Sequence, residues 1–327
     1  MMPLSAIRAF DRTLSPDGQS AVADLLAAPW SPDPGSVRFF RTSANVILTL
    51  RHDGERAFLR ASASSERDRP TIEGELRLID TLAAQGVPVV SVIPGENGDR
   101  VATADTALGP FHTVLFTALP GTIRDSDALS SDDFARWGAA VGRIHAGLSG
   151  VAPETIARPP SWQTAFEAIA AHTAVPDATK QGALRLHERL ERLPRTPDWY
   201  GPLHGDLELD NLTWDGATIW ALDFDAASCG WYLLDIAKAL SDPFAAGLAP
   251  GDEPIAAFLG GYRQHRPLPD EALAMLSTFR LLARTVDYAS LLHALDVTAA
   301  DADVDWLRRL IVRLSAWMRE TESLLAS

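Results

Sequence analysis

Apolar and polar positions change their spacing along this chain, and the changes divide it into elements. The pattern is helix-like up to Ala28 and then breaks at Pro29, Pro32, Pro34 and Gly35. Two strand-like runs follow, 37–50 and 57–61, and the polar segment joining them contains Asp53-Gly54, a strong hairpin turn signal. Residues 70–85 return to helical spacing, with Leu76, Ile79 and Leu82 on one apolar face and Gly86 as the stop. Residues 87–93 are strand-like, 95–99 form another turn, and 111–119 form an apolar strand that stops at Pro120-Gly121. The opening part is therefore expected to be a small sheet carrying one main helix.

Beyond Pro120 the spacing turns helical. Ser130 and Ser131 with Asp132-Asp133 open a helix over 131–148, because hydroxyls cap free amides and carboxylates suit the positive end of the helix dipole. Residues 162–193 read as one or two helices across a possible break at Val175-Pro176, and 203–224 is a short strand-rich insert. From Leu233 onward nearly everything between proline and glycine breaks is helical, and no repeat or low-complexity tract interrupts it. The expectation is an α+β chain of two lobes, a sheet-based one over 1–119 and a larger helical one over 120–327.

Length supports that division, since 327 residues exceed what one compact core usually holds. A content of 46% hydrophobic and 22% charged residues excludes a mostly disordered chain. With 43 acidic against 29 basic residues, the formal charge of −14 argues against non-specific binding to nucleic acid or to anionic membranes. Only Lys180 and Lys238 are lysines, so the first 179 residues hold none and the other 27 basic residues are arginines. Cys229 is the single cysteine, which excludes an intramolecular disulfide and a cysteine-based zinc site. No basic and then apolar leader opens the chain, and no run of about 18 apolar residues occurs, so a cytoplasmic protein without a membrane span is expected.

The chemistry is concentrated in Leu203-His204-Gly205-Asp206-Leu207-Glu208-Leu209-Asp210-Asn211 and the hairpin after it, whose turn is Asp215-Gly216. The loop presents Asp206 and Asn211. Asp223 comes directly after Ile219-Trp220-Ala221-Leu222, where an ionised carboxylate is costly unless it is paired or metal-bound. A carboxylate and a carboxamide able to hold a divalent ion, beside a second carboxylate free to accept a proton, suit metal-assisted phosphoryl transfer. Each residue alone also suits a structural place, Asp206 and Asn211 in a turn and Asp223 capping a helix. All three at this spacing point to chemistry.

His-Gly-Asp, an Asn five positions after the Asp, an apolar strand ending in Asp223-Phe224-Asp225, and then Asp235-Ile236-Ala237 form one combined motif. In it the chain resembles the aminoglycoside phosphotransferase and choline kinase-like enzymes, which have the bilobal protein-kinase fold. The resemblance covers most of the chain in order. It implies that Asp206 is the catalytic base for a substrate hydroxyl and that Asn211 and Asp223 are Mg²⁺ ligands. His204 is expected to pack and brace the loop, Asp235 to hold it from beneath, and His145 to lie in the core. Asp225 is left between a second metal contact and a turn cap. Glu208 and Asp210 either line the substrate entrance or lie in a solvated loop, the latter being favoured.

The small lobe would then hold ATP. With no lysine before position 180, the phosphate-contacting cation is expected to be Arg60, in Ala57-Phe58-Leu59-Arg60-Ala61, held by Glu75 or alternatively Glu73 on the following helix. The phosphate-covering loop, Thr42-Ser43-Ala44-Asn45-Val46, contains no glycine, so Ser43 and Asn45 are the candidate donors. Thr117 and Leu119, in the segment between lobes, would contact adenine through their backbone.

The implied activity is ATP- and Mg²⁺-dependent transfer of the γ-phosphate to a hydroxyl of a small molecule: an aminoglycoside, an amino alcohol or a hydroxy amino acid. Acids scattered through the C-terminal helices are read mostly as solvated, the alternative for Asp287 and Tyr288, with Arg280 and Arg284 one or two turns earlier, being that they face the cleft. Two alternatives stay open. One is a Ser/Thr protein kinase of the bacterial stress-response type, although only 11 residues lie between Asp223 and Asp235, short for an activation segment. The other is a non-catalytic, nucleotide-binding pseudokinase. Oligomeric state is not legible in the sequence.

Overall fold

The structure is a computed structural model that describes residues 1–327. From the amino terminus come α1 (Leu4–Asp11), α2 (Ala21–Ala27), β1 (Arg38–Thr42), β2 (Val46–His52), β3 (Glu55–Ala63), α3 (Arg69–Ala84), β4 (Val92–Ile93), β5 (Ala102–Thr106) and β6 (Gly109–Thr117). They are followed by α4 (Ser131–Leu148), α5 (Ser161–Ala171), α6 (Asp177–Glu191), β7 (Tyr200–Leu203), β8 (Leu212–Asp215), β9 (Thr218–Ala221) and β10 (Ser228–Trp231). The chain closes with α7 (Tyr232–Ala239), α8 (Ser241–Ala245), α9 (Glu253–Arg263), α10 (Asp270–Leu273), α11 (Leu276–Ala294) and α12 (Asp305–Ala326). Two compact units result, each from discontinuous segments. Met1–Glu73, Ser91–Ala118 and Tyr288–Glu322 form one, and Gly74–Val90, Leu119–Asp287 and Ser323–Ser327 form the other.

The first unit is built on an antiparallel sheet of order β1-β2-β3-β6-β4, with β5 also paired to β6. Asp53 and Gly54 close the β2–β3 hairpin, both at positive φ (54° and 79°), as a two-residue turn matching strand twist requires. Val46, Leu48 and Leu50 alternate into the core, where they join Leu59 and Ala61, α1 residues Leu4, Ile7 and Phe10, and Leu307 and Ile311 of α12.

Two strand readings change. The apolar run over 37–50 is two strands, because Ser43 turns the chain by donating its N–H to Asn45 O (3.1 Å). That turn is held from elsewhere in the unit by Met2 N–H on Ser43 O (2.8 Å) and by the Ser62 hydroxyl on buried Asn45 Oδ1 (2.6 Å). Of residues 87–93, only Val92 and Ile93 join the sheet. Pro88 has no N–H to give, and the backbone there exchanges bonds with Ala221 instead, Ala221 N to Pro88 O (3.1 Å) and Val90 N to Ala221 O (2.9 Å).

In the second unit α4 starts on a reciprocal cap: Ser130 Oγ accepts the Asp133 N–H (3.2 Å) and Asp133 Oδ2 accepts the Ser130 N–H (3.0 Å). α4 packs on α9 so closely that a Cβ at Gly138 would overlap Phe258 O. The break at 175–176 separates α5 from α6. The chain is thus α+β, a small antiparallel sheet followed by a largely helical remainder, and no helix is long and apolar enough to cross a membrane.

Candidate active site

Strands β7 and β10 pair antiparallel, Leu203 opposite Ser228, and the loop leaving β7 carries the motif. Gly205 sits at φ +89°, where a Cβ would also overlap Ala226 O, so only glycine fits this corner. A short 3-10 turn, Leu209–Asn211, leads into β8. Leu222 N–H then donates to Asn211 O (3.0 Å) at the end of the β8–β9 hairpin, which brings the start of Asp223 beside Asn211. Asp223 adopts φ 61°, ψ 64°, a left-handed conformation that costs a non-glycine residue roughly 1–3 kcal/mol and is most often retained at functional sites.

Beneath the loop lies a fully buried network. Asp235, at 0% exposure on α7, accepts three hydrogen bonds of 3.0 Å: His204 N–H and His145 Nε2–H on Oδ2, and Gly205 N–H on Oδ1. Burial pushes its carboxyl up, but the His145 bond and the backbone amides that point at it more than offset this and hold it below the ordinary range. The other His145 ring nitrogen meets the Tyr262 hydroxyl (3.0 Å). His204 Nδ1 accepts the Asp206 N–H (3.3 Å), so its Nε2 carries the proton and donates to Leu222 O (3.0 Å). Burial lowers the His204 pKa, in keeping with that neutral tautomer, and Phe224 packs on the ring with centroids 4.2 Å apart.

Asp206 is half-buried at the top of this support. Asn211 Nδ2 donates both to Asp206 O (2.9 Å) and to Asp206 Oδ2 (2.9 Å), which fixes the plane of the carboxylate. Burial raises the Asp206 pKa against the opposing charge of Lys238. Glu208 is not solvated, as the loop reading favoured: Ser241 Oγ donates to its Oε1 (2.9 Å), and burial next to Asp206 pushes its pKa up to about 7. Asp287, which the sequence left between a solvated position and one facing the cleft, is 46% exposed and accepts from Lys238 Nζ (3.0 Å). Lys238 was counted in the sequence but given no role there. The available signal was that it is one of two lysines in the chain and stands three residues after Asp235 on a helix.

In the sheet unit Arg60 is buried on β3, register-paired with Ile47 on one side and Val114 on the other, its guanidinium 5.3 Å from the Phe116 ring centre. Ser43 is exposed and Asn45 buried in the β1–β2 turn. Thr117 ends β6 with its N–H on Ser91 O (2.9 Å). Glu73 pairs with Arg69 Nε (2.8 Å). In the helical unit Glu75 is buried on α3, and Leu119 is half-buried.

A sequence profile of the phosphotransferase enzyme family matches residues 41–272. The chain belongs to that family. It is a phosphotransferase, a kinase whose acceptor is a hydroxyl group. Amicoumacin kinase of Bacillus subtilis (strain 168) is 27% identical over 278 residues, 82% of each chain. Among solved structures, amicoumacin kinase hAmiN in complex with AMP-PNP, Ca²⁺ and Ami superposes with a TM-score of 0.76 at 23% identity, covering 91% of both chains. A microcompartment-associated aminopropanol kinase does so with a TM-score of 0.70 at 24% identity, covering 92% of this chain and 95% of its own. These structural likenesses confirm the kinase-like fold.

The donor set suits a hard divalent cation. Asn211 commits its amide nitrogen to Asp206, which leaves Oδ1 as an oxygen donor, and Asp223 adds a carboxylate. No group of three or more His, Cys, Asp or Glu side chains is placed to hold a metal by itself. A cation here would depend on phosphate oxygens and water for its remaining ligands, as Mg²⁺ in nucleotide sites does.

Proposed function

We propose that this phosphotransferase moves the γ-phosphate of ATP, with Mg²⁺, onto a hydroxyl of a small amine-bearing molecule, and that Asp206 is the base. The observation that carries the reading is the Asp206 carboxylate held in plane by Asn211 at 2.9 Å, next to an Asp223 kept in a strained left-handed conformation. Asp206 Oδ1, the oxygen not engaged by Asn211, accepts the acceptor's proton as its oxygen bonds to the γ-phosphorus and the bridging bond to ADP breaks. His204, neutral, keeps the loop backbone in register without taking that proton. Asn211 and Asp223 are the proposed Mg²⁺ ligands, and the cation, when bound, neutralises charge on the phosphates.

For the nucleotide we assign Ser43, Asn45, Arg60, Glu75, Thr117 and Leu119, within a nucleotide-binding segment over 1–119 and a catalytic segment over 120–327. The place of Arg60 supports this, since it puts a buried cation on the central strand β3, where a phosphate-contacting cation is required. The names of the relatives, kinases of amicoumacin and of aminopropanol, favour a small acceptor over a protein.

The test is calorimetric titration of ATP with and without Mg²⁺ on the wild type and Asp223→Ala, followed by a coupled assay over aminoglycosides, amino alcohols and hydroxy amino acids. Mg²⁺-dependent binding lost in the variant, with turnover on one class, is expected. Mg²⁺-dependent ATP binding without turnover on any of the three classes would remove them as the acceptor.

A further inference from the structure

The helical run from α7 into α8 presents a polar side chain every three residues, Asp235, Lys238 and Ser241, and adjacent members of such a series lie along one face. Asp235 holds the N–H groups of His204 and Gly205 at 3.0 Å, and Ser241 holds Glu208 at 2.9 Å. Lys238 stands between them in helical register, and the loop residue between Gly205 and Glu208 that bears a charge is Asp206. The Lys238 side chain is only 11% exposed, against 46% for Asp287, which clamps its Nζ at 3.0 Å from α11. Asp206 and Glu208 are the other carboxylates acting on it. Together they outweigh burial and keep the ammonium charged.

A buried ion pair contributes little to stability that apolar residues of equal volume would not contribute as well. Stability therefore does not account for placing one of the chain's two lysines here. We propose that Lys238, clamped by Asp287, is a positioning residue that orients the Asp206 carboxylate toward the acceptor hydroxyl. It touches neither acceptor nor nucleotide and works through Asp206, so the inference rests on the reading of Asp206 as the base.

The composition supplies a ligand-free readout. Asn45, Asn97 and Asn211 are the only asparagines, so side-chain ¹⁵N labelling of asparagine gives three amide pairs, and that of Asn211 reports directly on the Asp206 oxygen it is bonded to. In Lys238→Met and in Asp287→Asn the Asn211 pair is expected to move while the Asn45 and Asn97 pairs stay in place, and Lys238→Arg is expected to return it toward its wild-type position. An unmoved Asn211 pair in folded Lys238→Met overturns the proposal. Should that variant not fold, an unmoved pair in Asp287→Asn, where the lysine is present but unclamped, overturns it equally.

With MgATP and an acceptor from the panel above, kcat is expected to fall about tenfold or more in Lys238→Met with KM for MgATP nearly unchanged, a part of the roughly 10²–10⁴ that a positioned base supplies. A loss confined to KM counts against the proposal. Asp206→Asn separates the two readings. If it turns over like wild type, the base assignment is wrong. If it is inactive while the Asn211 pair ignores Lys238→Met, the base stands and the positioning role falls.

Discussion

Replacing Asp235 by Asn keeps the shape of the side chain and removes its charge, at a residue with 0% exposure and three donors at 3.0 Å. The amide can still present one oxygen to the Oδ2 partners, His204 N–H and His145 Nε2–H. Its NH₂ group then faces the Gly205 N–H, leaving a buried donor unpaired, which costs about 1–3 kcal/mol. The two surviving bonds lose their charge assistance, about 1 kcal/mol each. Relief from burying a carboxylate offsets part of this. The net expectation is a loss of about 2–4 kcal/mol, which a domain of ordinary stability, about 5–15 kcal/mol, survives in folded form.

Urea unfolding of wild type and Asp235→Asn at matched m-values measures this loss. The sign of its pH dependence follows from the direction of the shift. The folded carboxyl lies below its unfolded value, so its contribution is full above the unfolded pKa and is lost as pH falls through the folded one. The difference between the two proteins should therefore be largest near neutrality and shrink in acid. A difference under about 0.5 kcal/mol at pH 7, or one that grows toward low pH, would refute the account of Asp235 as an ionised anchor of the loop.

Glu208→Gln should stabilise the fold at pH 8 and change little below about pH 4.3, the ordinary glutamate value. Its folded pKa is raised to about 7, so the cost of burying the charge appears as pH climbs between those values, and paired urea titrations at both ends check it. Gly205→Ala should fold with a stability loss of at least about 1 kcal/mol and lose turnover more steeply than nucleotide affinity, because the added methyl meets Ala226 O at a positive-φ corner one residue before Asp206; calorimetry with MgATP beside a kinetic assay separates the two. Arg60→Met should weaken MgATP binding while leaving the Asn211 side-chain amide signal unchanged, and calorimetry that shows unaltered affinity would remove Arg60 from the nucleotide assignment.

Much of the architecture was legible in local pattern, and particular elements show why. The helix over 131–148 carries its own start signal in Ser130 and Asp133, and the Asp53-Gly54 turn carries its own backbone preference. Neither needs a distant partner. The turn at Ser43–Asn45 was hidden inside an apolar run because its stabilising contacts come from Met2 and Ser62. The pairing of β5, Ala-Thr-Ala-Asp-Thr, was likewise hidden, since its strand character comes from lying beside β6.

By itself, the order of residues determined the motif, Asp206, Asn211 and Asp223 at their spacing, and with it the family, because these residues lie within one loop and one hairpin. Tertiary structure alone decided what surrounds Asp206. Lys238 stands 32 positions after it and Asp287 another 49, yet the two meet at 3.0 Å, and Glu208 leaves solvent to meet Ser241. It also decided that Tyr288–Glu322 packs with the sheet unit at the far end of the chain. The physical reason is common to these cases. Charge, burial and pairing are properties of a neighbourhood, and chain spacing specifies a neighbourhood only across the few residues of a turn, a hairpin or a helical repeat.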